Sequence, residues 1–287
     1  MKRLYTFLLF AVLCIPISTV YAKTNDSDNI VRILAIGNSF SVDALENHFY
    51  ELATAAGKKV IVGNMFIGGC SLERHLNNSK ENKAAYTYYK RGLDGVNVKT
   101  KGVSLSTALT DEKWDYVSVQ QQSGRSGIYE TWEASLPGLL EYVKSMIPDN
   151  AVIMIHQTWA YASDSTHKDF KNYDNDQIKM YTSIMDAVKR ASKLSGIKLV
   201  IPSGTAVQNA RATSLNEVMT RDGFHLHKTY GRYVAACVWL EKVLGVNPVG
   251  NPYRPETMTQ EQQRLAQLSA HKAVKRPWKV SKIRSIH

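Results

Sequence analysis

Short apolar runs rich in β-branched residues recur along the chain, and amphipathic stretches separate them. Runs of this length, bounded by turn-forming residues, predict buried strands. Five are predicted, at residues 31–36, 60–66, 116–120, 151–155 and 197–201. Strands that alternate with helices form parallel sheets covered on both faces. The pattern therefore predicts an α/β fold, a doubly wound α/β sandwich with a parallel sheet at its centre.

Apolar residues at three- and four-residue spacing predict the helices between these strands. One is residues 42–56, in which Leu45, Phe49 and Leu52 share a face, and another is residues 177–194. In open parallel sheets, ligands bind at the carboxyl ends of the strands. Functional residues are therefore expected in the segments that directly follow predicted strands.

Residues 84–110 interrupt the alternation of strands and helices. Tyr86, Tyr88 and Tyr89 cluster before a Gly-rich turn, and a polar segment follows at residues 96–101. This pattern predicts a small hairpin insertion near the site. Because the sequence contains no internal repeat and no low-complexity linker, residues 23–287 are predicted to form a single domain.

Residues 1–22 carry the pattern of a signal peptide. Lys2 and Arg3 give a basic start, an apolar stretch follows, and Val20 and Ala22 form a V-x-A cleavage site. Cleavage at this site predicts a periplasmic or secreted protein.

The same segment has two less favoured interpretations. Lipidation at Cys14 would tether the protein to a membrane, but the large Leu13 before it is unlike the small residue of a lipidation site. A membrane-spanning helix is disfavoured because Pro16 interrupts the stretch, which falls short of the ~20 apolar residues needed to cross a bilayer. No stable membrane span is expected.

The formal net charge is +11, and part of the positive excess lies in the tail at residues 272–284. Such a tail predicts a solvated basic surface. Nucleic-acid binding is not expected, because the basic residues lack a recognisable nucleic-acid-binding fold and interleaved aromatic residues. A positive field favours anionic substrates instead, such as uronic-acid polymers.

After the signal peptide, only two cysteines remain, Cys70 and Cys237. They are too few for a disulfide scaffold and lack the paired C-x-x-C spacing of a zinc site. Buried free thiols are favoured, and one structural disulfide stays open as the alternative.

The first predicted strand ends in ILAIGNSFSVDAL, which places Ser39 between a strand and a helix predicted to begin near Val42. A serine hydroxyl at that position lies near helix N–H groups that can stabilise an oxyanion. The alternative is that Ser39 or Ser41 only caps the helix, a common role for serine. The segment is not a G-x-S-x-G nucleophile elbow, so an α/β-hydrolase is not supported.

Near the other end of the chain, TRDGFHLH places Asp222 and His225 three residues apart around a glycine. A turn there can bring the carboxylate onto one imidazole nitrogen and leave the other nitrogen facing a nucleophile. A plain surface pair is one alternative. A metal site formed by Asp222, His225 and His227 is another, but no H-E-x-x-H motif or further ligand cluster supports it.

The combination of GNSFS near the mature N-terminus and DGFH near the C-terminus resembles the SGNH, or GDSL-like, hydrolase family. The resemblance covers nearly the whole mature chain, although Asn38 stands where the family's GDS motif has aspartate. It implies a three-layer α/β/α sandwich with a five-stranded parallel sheet of the SGNH/flavodoxin-like type. It also implies a catalytic triad of Ser39, Asp222 and His225 and no metal or other cofactor.

The resemblance also implies an oxyanion hole made from the serine N–H, a glycine N–H after the second strand and a polar side chain after the third. In MFIGGCSLERH the first choice of glycine is Gly69 and the second is Gly68. After the third strand, VQQQS has no asparagine, which the family often carries. Because a glutamine amide donates the same hydrogen bond, Gln122 is the predicted donor and Gln120 the alternate.

The strings VQQQS, GGCSLERH and HQTWAY resemble a branch of SGNH-like proteins from gut Bacteroidetes. That likeness implies that His75 and Trp159 lie near the cleft and contact substrate. The predicted function is a secreted serine esterase that removes a small acyl group, acetyl first, from a carbohydrate or glycoconjugate. The alternatives are a lipase- or thioesterase-type acyl hydrolase and a non-catalytic carbohydrate-binding protein that uses Trp132 and Trp159 as stacking platforms.

Overall fold

The computed structural model describes residues 29–283 of the chain. The predicted signal peptide, Cys14 and the last residue of the basic tail, Arg284, lie outside the described residues. Within residues 29–283, no helix is both long and apolar enough to cross a membrane.

A single mixed sheet forms the centre of the described chain. Its seven strands, in chain order, are β1 (Ile30–Gly37), β2 (Lys59–Phe66), β3 (Tyr86–Arg91), β4 (Asn97–Val103), β5 (Tyr116–Val119), β6 (Val152–His156) and β7 (Leu199–Ile201). They lie in the order β4-β3-β2-β1-β5-β6-β7. Strands β2, β1, β5, β6 and β7 are parallel to one another. Strand β3 is antiparallel to β2, and β4 is antiparallel to β3.

All five predicted strands are present, with ends displaced by at most two residues. The prediction of a five-stranded sheet is nevertheless wrong, because the hairpin at residues 84–110 belongs to the sheet. Strand β3 pairs with β2, with Thr87 opposite Phe66. Tyr86 and Tyr88 are buried while Thr87 and Tyr89 are half-buried, which is the two-residue period of a strand covered on one face. The hairpin thus covers an edge of β2 that would otherwise expose unpaired backbone groups.

Helices cover both faces of the sheet. In chain order, those within residues 29–283 are α1 (Ser39–Leu45), α2 (Phe49–Ala55), α3 (Leu72–Lys80), α4 (Leu105–Leu109), α5 (Tyr129–Glu133), α6 (Leu136–Lys144), α7 (Gln177–Ser195), α8 (Ser203–Arg211), α9 (Tyr230–Leu244) and α10 (Gln260–Lys275). Helices α1, α2, α8, α9 and α10 pack together as one layer, and α3 to α7 form the other. This is the three-layer α/β/α arrangement that the sequence predicts.

The predicted helix at residues 42–56 is two helices, α1 and α2, while the one at 177–194 is the single helix α7. The break occurs at His48, which has a left-handed backbone conformation with φ of 69°. Its imidazole contacts the Lys228 carbonyl at 3.0 Å and the Tyr253 hydroxyl at 2.9 Å. These partners stabilise a backbone conformation that non-glycine residues seldom adopt.

The main chain of the basic tail is anchored at two positions, Pro277 and Ser281. The Thr205 hydroxyl donates to the Pro277 carbonyl at 2.6 Å, and the Ser281 N–H donates to Asn209 Oδ1 at 2.7 Å. Lys279 and Lys282 remain exposed. The tail is therefore a basic surface, as predicted, but one fixed against α8.

Candidate active site

The structure brings Ser39, His225 and Asp222 into one line of hydrogen bonds. Asp222 Oδ2 lies 2.7 Å from His225 Nδ1, and His225 Nε2 lies 2.9 Å from Ser39 Oγ. An ionised carboxylate can only accept, so the imidazole proton sits on Nδ1 and Nε2 is left to accept from the serine hydroxyl. This is the geometry in which an imidazole can take a proton from an attacking serine.

A tight turn holds the aspartate and histidine together. Asp222 Oδ1 accepts the backbone N–H groups of Phe224 at 3.2 Å and His225 at 2.8 Å. Gly223 at the turn has φ of +84°, a conformation that favours glycine. Partial burial acts to raise the pKa of Asp222, but the hydrogen bonds and charge of His225 outweigh it and the pKa lies below its ordinary value. Asp222 is therefore ionised at neutral pH.

Asn38 sets the start of helix α1, whose first residue is Ser39. Asn38 Oδ1 accepts the Phe40 N–H at 3.0 Å, and Asn38 Nδ2 donates to the Cys70 carbonyl at 3.0 Å. The first bond caps the helix. The second ties the nucleophile's helix to the turn after β2, where the predicted oxyanion glycines lie. Ser39 is thus not the helix cap, which was the alternative interpretation of this segment.

Gln120, the alternate oxyanion donor, is buried and engaged elsewhere. Its Nε2 donates to Asn38 Oδ1 at 2.9 Å, and its Oε1 lies 2.8 Å from His156 Nδ1. His156 Nε2 then accepts from the Ser203 hydroxyl at 3.0 Å. Burial lowers the pKa of His156 to about 3, so this histidine is neutral and has the Nδ1–H form that the network requires. Gln120 therefore supports Asn38, and because only 1% of its surface is exposed it is not accessible to an oxyanion.

Asp43, which the sequence analysis did not single out, joins α1 to the loop that carries Asp222 and His225. It is fully buried and accepts the Leu226 N–H at 2.8 Å. Arg221 Nη1 lies 3.1 Å away and Arg232 Nη2 lies 2.7 Å away. Because Ser39 and Asp43 share one short helix, this cluster fixes Ser39 relative to His225. The one signal in the sequence is a charged residue between Val42 and Ala44 in an otherwise apolar stretch.

Trp159 and His75, which the sequence likeness implies to be substrate contacts, do not line the cleft. Trp159 is fully buried, stacks on Phe40 with ring centres 4.2 Å apart, and donates from Nε1 to the Phe224 carbonyl at 2.8 Å. It supports the loop before His225 from behind. Trp132 is also buried, with 1% of its surface exposed, so neither tryptophan is a stacking platform for a sugar.

His75 lies in α3, and its side chain belongs to the core. Its side chain is fully buried and its ring stacks on that of Tyr86. The distance from His75 Nδ1 to the Tyr86 hydroxyl oxygen is 2.9 Å. Burial lowers its pKa to about 3, so it is neutral. The prediction that His75 contacts substrate is wrong, because the ring has no accessible surface.

Two backbone donors in the segments after β1 and β2 have no hydrogen-bond partner among the described residues. The N–H of Ser39 is the first of helix α1, and the N–H of Gly69 lies in the turn after β2; within residues 29–283 neither donates a hydrogen bond. Gly69 has φ of +59°, and a Cβ on it would have no neighbour within 4 Å. Gly68 is likewise exposed. The Gly69 backbone therefore borders open space beside the site, as an oxyanion donor must.

Gln122 lies at a polar cleft next to Gly69. Its Nε2 donates to Asp169 Oδ2 at 3.2 Å. The amide nitrogen carries two hydrogens, so one remains after this bond. Asp169 packs directly over Gly124, where a Cβ would lie 2.4 Å from its side chain. The carboxylate is thereby held in place to orient the Gln122 amide.

The cleft has a volume of about 620 Å³. Its lining is mainly polar and comprises Gly69, Ser71, Glu73, Gln122, Arg125, His167, Lys168, Asp169 and Asn172. His167 packs edge-on against Phe224, with ring centres 4.7 Å apart, and Phe224 precedes His225 in the chain. The cleft therefore extends from Gly69 towards the loop of His225.

The two cysteines and the possible metal ligands do not form sites of their own. Cys70 and Cys237 are buried free thiols, and burial raises the pKa of Cys70 to about 12. No disulfide joins them. His227 stacks on Tyr230, and in the described part of the chain no three His, Cys, Asp or Glu side chains are grouped so that they could hold a metal ion.

A family model described as a domain of unknown function, DUF4886, matches residues 32–273. The chain belongs to the DUF4886 family. It resembles the crystal structure of a DUF4886 family protein from Bacteroides uniformis, with 52% identity and a TM-score of 0.88 over 88% of this chain and 98% of that one. A Bacteroidetes relative agrees with the likeness seen in the sequence. No functionally curated protein matches the sequence.

More distant structural relatives of this DUF4886 chain are SGNH hydrolases and esterases. A proposed SGNH hydrolase from Slackia heliotrinireducens is 27% identical, with a TM-score of 0.51 over 75% of this chain and 99% of that one. A catalytic mutant of an acetylxylan esterase from Geobacillus stearothermophilus is 13% identical, with a TM-score of 0.50 over 78% and 96% of the two chains. The DUF4886 chain thus has an SGNH-type α/β fold, and the first of these relatives supports a hydrolase.

Proposed function

We propose that this DUF4886 protein is an exported serine esterase that removes a small acyl group, acetyl first, from a carbohydrate. The observation that carries the proposal is the hydrogen-bonded line from Asp222 through His225 to Ser39 at the start of a helix. Export rests on the signal-peptide pattern of residues 1–22. No cofactor enters the proposal.

In the proposed reaction Ser39 Oγ attacks the ester carbonyl while its proton passes to His225 Nε2. Asp222 keeps the imidazole in the required tautomer and stabilises the imidazolium. The tetrahedral intermediate collapses when the bond to the sugar oxygen breaks, and His225 returns the proton to that oxygen. A water molecule, deprotonated by His225, then hydrolyses the acyl-serine ester and releases the acid.

Three donors are assigned to the oxyanion of the tetrahedral intermediate. Two are the unpartnered N–H groups of Ser39 and Gly69, and the third is the free amide hydrogen of Gln122. Donors that are already in place stabilise the developing charge without reorganisation. Gln120 is excluded from this role because it is buried, whereas Gln122 is half-buried and lines the cleft, so the glutamine assignment falls on Gln122 alone.

Gln122→Ala is expected to lower kcat for an acetyl ester by about 10²- to 10³-fold, the usual cost of one lost oxyanion donor. KM should change little, because the lost bond forms mainly in the transition state. Steady-state kinetics with p-nitrophenyl acetate measures both constants. The matched control is Asn172→Ala, which removes another amide from the same cleft and should stay within severalfold of wild type. Full activity in Gln122→Ala would contradict the assignment.

The cleft next to Gly69 and Gln122 supports a hydrophilic alcohol as leaving group. Its lining combines Glu73, Arg125, Lys168 and Asp169, which suit the hydroxyl groups of a sugar better than a lipid chain. The acetylxylan esterase among the structural relatives acts on an acetylated glycan by its description, which agrees with a sugar ester here.

The size of the acyl group is tested by comparing p-nitrophenyl acetate with p-nitrophenyl octanoate as substrates of the mature protein, residues 23–287. Acetate is expected to have the higher kcat/KM by at least tenfold, since each excluded methylene changes binding by about 1–3 kcal/mol. Inactivated protein carrying Ser39→Ala is the background control. Preference for octanoate would favour the lipase-type alternative instead.

A further inference from the structure

The hairpin presents an exposed face beside the nucleophile's helix. Cross-strand pairing places Phe66 opposite Thr87, Thr87 opposite Lys101, and Tyr89 opposite Lys99. Side chains of residues paired in this way share one face of a sheet. We call these five residues the hairpin shelf. They lie on the α1 side of the sheet, because Asn64, two residues before Phe66 on the same face, bonds to Ser41 of α1.

The hairpin shelf combines aromatic faces with uncompensated positive charge. The Phe66 and Tyr89 rings pack edge-on with centres 6.0 Å apart, and Lys99 Nζ lies 5.4 Å from the centre of the Tyr89 ring. Lys99 and Lys101 are exposed, and within residues 29–283 neither forms an ion pair.

The carboxylates of Glu46 and Glu51 contact other residues of the hairpin. Glu46 Oε2 accepts from Asn97 Nδ2 at 2.6 Å, and Glu51 pairs with Arg91 at 2.7 Å. Because no carboxylate within residues 29–283 pairs with Lys99 or Lys101, the two shelf lysines keep their charge available for an external anion, and the rings next to them offer apolar surface.

The shelf is continuous with the candidate active site. A Cβ on Gly68 would lie 3.9 Å from Cζ of Phe66, and Gly68 is adjacent to Gly69, the assigned oxyanion donor. A chain bound across the shelf would therefore lead directly to the turn beside Ser39. Carboxylates can pair with the lysine ammonium groups, while the apolar faces of sugar rings can pack on Phe66 and Tyr89.

We propose that the hairpin shelf binds a carboxylate-bearing polysaccharide, a polyuronate, and delivers its acylated units to Ser39. Delivery of acylated units to Ser39 rests on the proposed esterase function, whereas binding of the polyuronate to the shelf does not require catalysis. Two charges and two rings on one face distinguish the shelf from an isolated surface lysine.

The test measures the binding of unesterified polygalacturonate to the mature protein by affinity electrophoresis, with neutral xylan as the comparison polymer. Wild type should bind polygalacturonate more tightly, and added salt should weaken binding because the lysines are exposed. The double variant Lys99→Gln with Lys101→Gln should lose about tenfold in affinity or more. Tyr89→Ala should also weaken binding, and at any salt concentration.

The matched control is Lys193→Gln with Lys198→Gln, which removes two exposed lysines at the amino-terminal edge of the sheet and should bind as wild type does. Thermal unfolding checks that each variant is folded. Ser39→Ala should bind normally, so that loss of esterase activity and loss of shelf binding are separable. Three results would each overturn the proposal. The shelf variants could bind polygalacturonate as tightly as wild type does, or the control variant could be weakened as much as the shelf variants. Wild type could also bind single-stranded oligothymidylate more tightly than polygalacturonate.

Discussion

Ser39→Ala is expected to reduce kcat for p-nitrophenyl acetate by about 10⁴- to 10⁶-fold, the scale at which loss of a triad nucleophile abolishes covalent catalysis. The variant loses the oxygen that lies 2.9 Å from His225 Nε2, and nothing else within the line of hydrogen bonds changes. Residual turnover would come from the oxyanion donors and from bound water. Release of p-nitrophenol by purified wild type and variant measures the effect.

Ser41→Ala is the matched control, because Ser41 is the other serine of the same short helix. Its hydroxyl donates to the Asn38 carbonyl at 2.8 Å and lies 2.9 Å from Asn64 Oδ1, facing away from His225. This variant should keep activity within about tenfold of wild type, the cost of one neutral hydrogen bond. Equal rates for Ser39→Ala and wild type would refute the serine mechanism.

Asp43→Ala is expected to lower the free energy of unfolding by about 3–5 kcal/mol, the cost of removing one partner from a buried ion pair. The change leaves Arg221 and Arg232 without their carboxylate and the Leu226 N–H without an acceptor. The loop that carries His225 also loses its anchor to the helix of Ser39. In variant protein that remains folded, kcat should therefore fall more than KM rises. Urea denaturation and steady-state kinetics measure the two effects.

Asp186→Ala serves as the comparison for Asp43→Ala. Asp186 also pairs with an arginine from a helix, Arg190 at 3.5 Å, but both side chains are about half exposed or more. An exposed pair of this kind contributes about 0–1 kcal/mol. If both variants were destabilised by the same small amount, the view that the Asp43 cluster holds the two halves of the site together would be wrong.

The parts of the fold that could be predicted are those whose signal is local. Strands β1, β2, β5 and β6 are short apolar runs because both of their faces are covered, and helix α7 shows its buried face at helical spacing. The hairpin was recognised from its tyrosines, but its membership of the sheet depends on pairing between β2 and β3, which lie 20 residues apart at Phe66 and Tyr86.

The break between α1 and α2 shows why other features could not be predicted. Leu45, Phe49 and Leu52 keep helical spacing across the break, so the pattern alone indicates one helix. His48 takes its left-handed conformation with partners at Lys228 and Tyr253, which are about 180 and 205 residues away in the chain. Local periodicity contains no information about such partners.

The candidate site divides in the same way. The turn at residues 222–225 and the position of Ser39 after β1 follow from short motifs, and the structure brings them together. The roles of Gln120, Asp43 and Trp159 depend on contacts with distant segments, so residue type alone did not separate a cleft residue from a supporting one. His75 illustrates the error most clearly, because an aromatic, titratable side chain near a glycine turn is equally suited to a core.

Asn38 has a consequence for anyone who would replace it with the aspartate of the SGNH family's GDS motif. Asn38 is buried and its Nδ2 donates to the Cys70 carbonyl, a bond that an ionised aspartate cannot make because it has no hydrogen to give. The substitution Asn38→Asp would place a carboxylate oxygen against the Cys70 carbonyl oxygen at the N-terminus of the nucleophile's helix. Residue 38 and the turn that ends at Cys70 therefore depend on each other, and a substitution at residue 38 requires a matching change in that turn.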